Sequence, residues 1–223
     1  MSARRLLIAL ALLFLSLFLF VPLVSVFFEA FKKGWEVYVA AITEPDAIAA
    51  INYLVDLKVN HGVNLRVINN SWGGTSFSQS LLDAINAAGD AGILFVVAAG
   101  NDAANHGTAS HYPSDYQCTN GGTRGWDCVV SVAATDTTGN LASYSDFGAT
   151  AVDLGAPGSG IVSTLPGSRY GSMSGTSMAA PHVTGSLALL KAKFPGEGYR
   201  QLINRLLRGV DQGPRFASKA EAA

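Results

Sequence analysis

The chain has 223 residues, 49% of them hydrophobic, and a formal net charge of −1 at pH 7. That length fits one domain, or one domain with an appendage, and the apolar content is enough for a sizeable core. The near-neutral balance offers no basic face for a polyanion, which argues against nucleic acid as a partner.

The apolar content is concentrated at the start. Leu6 to Phe28 reads LLIALALLFLSLFLFVPLVSVFF, 23 residues without a charge, with Arg4 and Arg5 before it and Glu29, Lys32 and Lys33 after it. A stretch this long crosses the roughly 30 Å hydrocarbon core of a bilayer as a helix. A cleavable secretory signal would have an apolar region of about 7–15 residues and a small-residue cleavage site. A retained membrane anchor over residues 6–28 is therefore expected. The first 50 residues, through VPLVSVFFEAF, KGW and EPDA, resemble the amino terminus of a sulfate-type ABC transporter permease subunit. Such a permease would continue with further spans, and no later stretch of this chain is apolar enough for one.

From about residue 48 the pattern changes. AIAAINYLVDLKV places Ile48, Ile51, Leu54, Val55 and Val59 at helical spacing. Short apolar runs then alternate with helical stretches. LRVINNSW (65–72), ILFVVAAG (93–100), CVVSVAATD (128–136) and AVDLGAPG (151–158) predict strands; SQSLLDAINAAGDAG (78–92), residues 177–193 and residues 197–208 predict helices. This alternation implies an α/β fold, a parallel sheet with helices on both faces. The expected domains are a membrane-anchor segment over 1–47, an α/β domain over 48–210 and a disordered tail over 211–223.

In such a fold the loops after the strands carry the site. GTSMAAPH puts Ser177 at the start of an apolar helix, in the position of a nucleophile. FVVAAGND puts Asn101 in a loop after a strand, as a turn residue or as an amide aimed at a developing oxyanion. Cys118 and Cys128 flank the polar loop TNGGTRGWD. A local disulfide there is favoured over two free thiols, because closing a short ring stabilises by roughly 2–3 kcal/mol; it implies an oxidising compartment. Two cysteines without paired histidines make a poor metal site, so none is expected.

NNSWGG, GILFVVAAGND, YSDFG, DLGAPGSGIVST and GTSMAAPHVTG, in this order, resemble the carboxyl-terminal half of a subtilisin-like serine protease over about residues 48–207. The resemblance implies Ser177 as nucleophile and Asn101 as oxyanion-hole amide. It also implies that Ser71, Trp72 and Gly73 pair with an extended peptide by strand addition, and that Trp72 and the FVVAAG strand, with Ala99 and Gly100, line the main substrate pocket. Calcium is common in that family, but no carboxylate cluster here suggests it, and no cofactor is expected.

The family's chain order is Asp, His, Ser. A D-[ST]-G turn and an H-G-T-H stretch should precede NNSWGG, and neither is present. DTTG (136–139) lies after a later strand. His61-Gly62 continues as VNL and lies too close to Asn69. His182 is five residues along the helix from Ser177 and points away from it, while His106 and His111 lie in the loop after Asn101. The expectation is a serine endopeptidase domain without its base, inactive as this chain. The domain is expected on the external side of the membrane. The alternatives are a non-catalytic, membrane-tethered peptide-binding module, or a fusion of permease and protease reading frames without a function of its own.

Overall fold

The computed structural model describes residues 35–117 and 128–211, with side chains from residue 45 onward. The predicted membrane span, Cys118 and nearly all of the predicted tail lie outside these residues. Among the described residues no helix is long and apolar enough to cross a membrane. The chain divides into two compact units, Met1–Asp46 and Ala47–Ala223. Helix α1 (Trp35–Val59) spans the boundary, and Pro45 lies inside it. The second unit carries everything described below.

Its centre is a four-stranded sheet made of β1 (Val67–Asn70), β2 (Leu94–Ala98), β3 (Val129–Thr135) and β4 (Leu154–Pro157). The spatial order is β1-β2-β3-β4 and every pairing is parallel. Strand side chains point alternately to the two faces, and both faces here are apolar. Leu94 and Val96 of β2 join Val130, Val132 and Ala134 of β3 on one side. Phe95 and Val97 join Val129 on the other. A sheet covered on both faces loses the usual in-out alternation of polarity, so β2 and β3 read as continuous apolar runs.

Helix α2 (Gln79–Asp90) covers the second face. Ser78 caps it, its hydroxyl accepting the Leu81 N–H at 3.3 Å. Leu81, Ala84, Ile85 and Ala88 recur at 3.6-residue spacing and are buried with Ile51 of α1. Helices α3 (Thr176–Lys193) and α4 (Tyr199–Arg208) cover the first face through Ala179, Ala180, Val183, Leu187, Leu202 and Ile203.

One element was not predicted. Between β4 and α3 the chain forms an antiparallel hairpin of β5 (Ile161–Leu165) and β6 (Arg169–Met173), paired only with each other among the described strands. Sequence reading assigned no element to this stretch. Most of its residues are exposed.

Candidate active site

The carboxyl ends of β1 and β2 and the amino terminus of α3 meet at one place. Ser177 is the second residue of α3, after Thr176. The first turn of a helix has unpaired N–H groups and the positive end of the dipole, so charge that becomes negative there is favoured. Four residues on, Pro181 lacks the N–H that would bond the Ser177 carbonyl, and its ring crowds that carbonyl. The Ser177 carbonyl instead accepts the Ser71 hydroxyl at 2.8 Å, and the Ser177 hydroxyl donates to the Ser71 carbonyl at 3.0 Å. Two serines far apart in sequence are thus clasped by a reciprocal pair. Asn69, on β1, reinforces the clasp: its Nδ2 donates to the Ser71 hydroxyl, and its Oδ1 accepts the Thr184 hydroxyl of α3.

Asn101 approaches from β2. Its Oδ1 accepts both the Thr176 N–H at 2.9 Å and the Thr176 hydroxyl at 3.1 Å. With the oxygen committed, the NH₂ group is the free end of the amide. The residue is exposed, and the two bonds to its oxygen fix the orientation of the NH₂ donor. A donor held in place before charge develops is what an oxyanion site requires.

The loop bearing Asn101 is wound around a carboxylate. Asp146 is buried, and its Oδ1 accepts the N–H groups of Asp102 and Ala104, each at 2.8 Å. The Asp146 N–H donates in turn to the Gly100 carbonyl at 3.0 Å. Gly100 has φ +126°, and a Cβ there would lie 2.0 Å from Asp146 Oδ2. The His106 side chain is fully buried, with Nδ1 2.6 Å from Asp115 Oδ1 and Nε2 3.5 Å from Asp146 Oδ2. The His111 ring stacks on His106, centroids 5.9 Å apart. A Cβ on Gly73 would come within 2.3 Å of His111 Cε1, so only glycine lets this segment pass the ring.

Of the residues singled out by sequence, Ser177, Ser71 and Asn101 converge. Trp72 is 41% exposed on the segment beyond Ser71, and Gly73 and Gly100 both lie against His111. The Ala99 side chain does not face the cleft. It is fully buried beside Ala133 and Val152, because the β2–β3 ladder continues through the Ala99 N–H to the Val132 carbonyl. Cys128 is buried at the start of β3. Among the described residues no group of three or more His, Cys, Asp or Glu side chains could hold a metal ion. Asp146, Asp115 and Thr176 went unread as site residues. The signal was the aspartate of YSDFG and the threonine of GTS, whose partners lie 42 to 76 positions away.

Among the described residues no histidine is hydrogen-bonded to the Ser177 hydroxyl, which donates to Ser71. His61 lies 3.4 Å from Asp56 at the end of α1. His182 contacts the Met178 carbonyl at 2.9 Å through Nδ1. His106 and His111 form the stacked pair beside the Asn101 loop.

Residues 40–215 match the Subtilase family profile. This chain belongs to the subtilase family. It is 38% identical over 160 residues to the Thermostable alkaline protease of Halalkalibacterium halodurans, covering 72% of this chain and 40% of that protein. It is 42% identical over 147 residues to Subtilisin Savinase of Lederbergia lenta, covering 66% of this chain and 49% of the relative. Among solved structures, Sphericase superposes with a TM-score of 0.62 at 30% identity, over 72% of this chain and 53% of that one. The chain therefore spans about half the length of these relatives. The similarity to Sphericase supports the parallel-sheet α/β architecture.

The two stacked histidines differ in charge preference. Burial disfavours the charged His106 ring, but contact with Asp115, and then with Asp146, outweighs burial and raises its pKa above the ordinary value. For His111 burial is the largest influence and lowers the pKa; the positive charge of His106 adds to this and Asp146 opposes it. In an NMR pH titration of the full chain in detergent, the His106 imidazole titrates above the ordinary histidine value of about 6.5 and His111 below it. Asp146→Asn moves the His106 transition downward. The stabilisation from His106 is complete below its unfolded pKa and is lost as pH rises through the raised folded value.

Proposed function

We propose that the chain is the nucleophile-bearing portion of a subtilisin-like serine endopeptidase acting on extended peptide segments, and that it lacks catalytic power by itself. The reading rests on Ser177 at a helix amino terminus beside an amide whose oxygen is locked by Thr176. In the reaction this supports, the Ser177 hydroxyl oxygen attacks the peptide carbonyl carbon. The oxygen that gains charge receives the Asn101 NH₂. Ser71, Trp72 and Gly73 supply the segment along which an extended substrate pairs. The protease names of the relatives support the reaction class.

A serine hydroxyl needs a base to become nucleophilic. Here it donates to the Ser71 carbonyl, which accepts the hydrogen bond but is too weak a base to remove the proton. In subtilisin itself, loss of the histidine costs about as much as loss of the whole triad, on the order of 10⁶ in kcat. The full chain therefore gives no fluorophosphonate labelling above a Ser177→Ala control. Strong labelling that depends on Ser177 would refute the missing base and point to one of the four histidines.

We place this portion on the external side of a membrane, held by an uncleaved anchor over residues 6–28. The length and charge-free character of that stretch support this. Alkaline phosphatase fused after Ala223 should be active and remain in the membrane fraction. An inactive fusion reverses the orientation, and active enzyme released in shortened form makes the stretch a cleaved signal. External placement goes with a Cys118–Cys128 disulfide. A digest of exported, unreduced protein should contain the two peptides linked; two alkylatable thiols would exclude the bond.

A further inference from the structure

Behind the Asn101 loop lies a group of titratable side chains that the reaction does not use. At its centre is His106, whose side chain is fully buried. Its Nδ1 lies 2.6 Å from Asp115 Oδ1, and its Nε2 lies 3.5 Å from Asp146 Oδ2. Neither ring nitrogen makes an aligned hydrogen bond, so charge is what draws the ring and the two carboxylates together. His111 stacks on the ring at 5.9 Å, and Asp102 acts on His111 from the loop. Asp115 is itself anchored, its Oδ2 accepting the His111 N–H at 2.8 Å.

Asp146 connects this group to the site. Its Oδ1 accepts the Asp102 and Ala104 N–H groups, and its own N–H donates to the Gly100 carbonyl, so its bonds close on both sides of Asn101. Its Oδ2 faces His106. The His106 backbone belongs to the same fastening, since its N–H donates to the Phe147 carbonyl at 2.8 Å. A buried carboxylate persists as an anion only beside a compensating charge. With the ring charged, two carboxylates share one cation. A neutral ring leaves two anions without a counter-charge and turns a nitrogen lone pair toward one of them.

We propose that His106, as a cation between Asp115 and Asp146, is the positioning residue of the Asn101 loop: the loop is fixed while the ring is charged and opens when the ring loses its proton. The bearing on catalysis rests on the reading of Asn101 as the oxyanion amide, to which the switch adds an upper pH limit. Contact with the two carboxylates outweighs burial of the ring, so its proton is held above the ordinary histidine value of about 6.5. His111, whose burial dominates, is neutral over that range. Below the ordinary value the loop order is complete, and it is lost as pH rises through the raised folded value. The opening is local. Thr176 holds the Asn101 oxygen without help from His106, so the amide loses one of its supports and keeps the other.

Backbone amide exchange of the full chain in detergent reads the loop directly. Protection of the Asp102 and Ala104 N–H groups, corrected for the intrinsic pH dependence of exchange, should fall at least about tenfold as pH rises through the His106 transition followed by NMR. The Ala99 N–H, bonded to Val132 in the sheet, should stay protected over the same range. Asp115→Asn removes one of the anions that hold the proton, so it should move the His106 transition and the loss of loop protection to lower pH together. His106→Gln should give low protection at every pH, and His111→Gln should keep the pH dependence of the parent. The parent titration and Asp115→Asn decide the outcome even where His106→Gln fails to fold. A ring that only fills space would give protection that does not follow its titration. The proposal is overturned if the two amides stay protected through the transition, if Asp115→Asn moves the transition but not the loss of protection, or if the loss follows His111 instead. The exchange readout does not require Ser177 to react, so it is independent of the labelling test. A loop that opens with the His106 proton, in a chain whose Asn101 takes no part in hydrolysis, supports the switch and removes the oxyanion reading instead.

Discussion

Pro181 fixes the geometry on which the site depends. Every other residue in a helix interior donates an N–H to the carbonyl four residues before it. By withholding one, Pro181 leaves the Ser177 carbonyl available to the Ser71 hydroxyl, and Ser177 answers through its own hydroxyl. This clasp joins the end of an edge strand to the start of the helix that covers the sheet. Asn69 and Thr184 extend it one step further in each direction. The position of Ser177 relative to the segment that begins at Ser71 is therefore set by two hydrogen bonds, each worth about 1 kcal/mol net.

The second support comes from the opposite side of the cleft. Asn101 cannot orient itself; Thr176 holds its oxygen, and Asp146 gathers the backbone on either side of it. Behind Asp146 stands the buried His106, and behind His106 stands Asp115. The sequence places these groups in three separate segments, and none of them touches the hydroxyl of Ser177. Their contact with Asn101 runs through the loop they hold.

The sheet was legible because its strands are buried on both faces. A run such as ILFVVAAG has few alternatives to a central parallel strand. The capped, periodic helix 79–90 was equally plain. The hairpin at 161–173 was not, because strand signals in a sequence are signals of burial, and most of this ribbon is exposed. The same reason explains the site. Ser177 and Asn101 announce themselves through local motifs. The Ser71 clasp spans 106 positions and depends on a proline that sequence reading treats as a helix disturbance. The direction of the Ala99 side chain was not legible either, since the ladder it continues turns its methyl group into the core.

Gly100 has a consequence for how this domain can vary. The carboxylate that orders the Asn101 loop sits where a side chain at position 100 would begin, 2.0 Å from the ideal Cβ, and the backbone there has φ +126°. Space and conformation therefore exclude a side chain independently, and relieving one leaves the other. Replacing Asp146 by a smaller residue opens the space but releases the loop. In a saturation library at codon 100, selected for an ordered cleft, glycine is the residue that survives, and no single second-site change widens that choice.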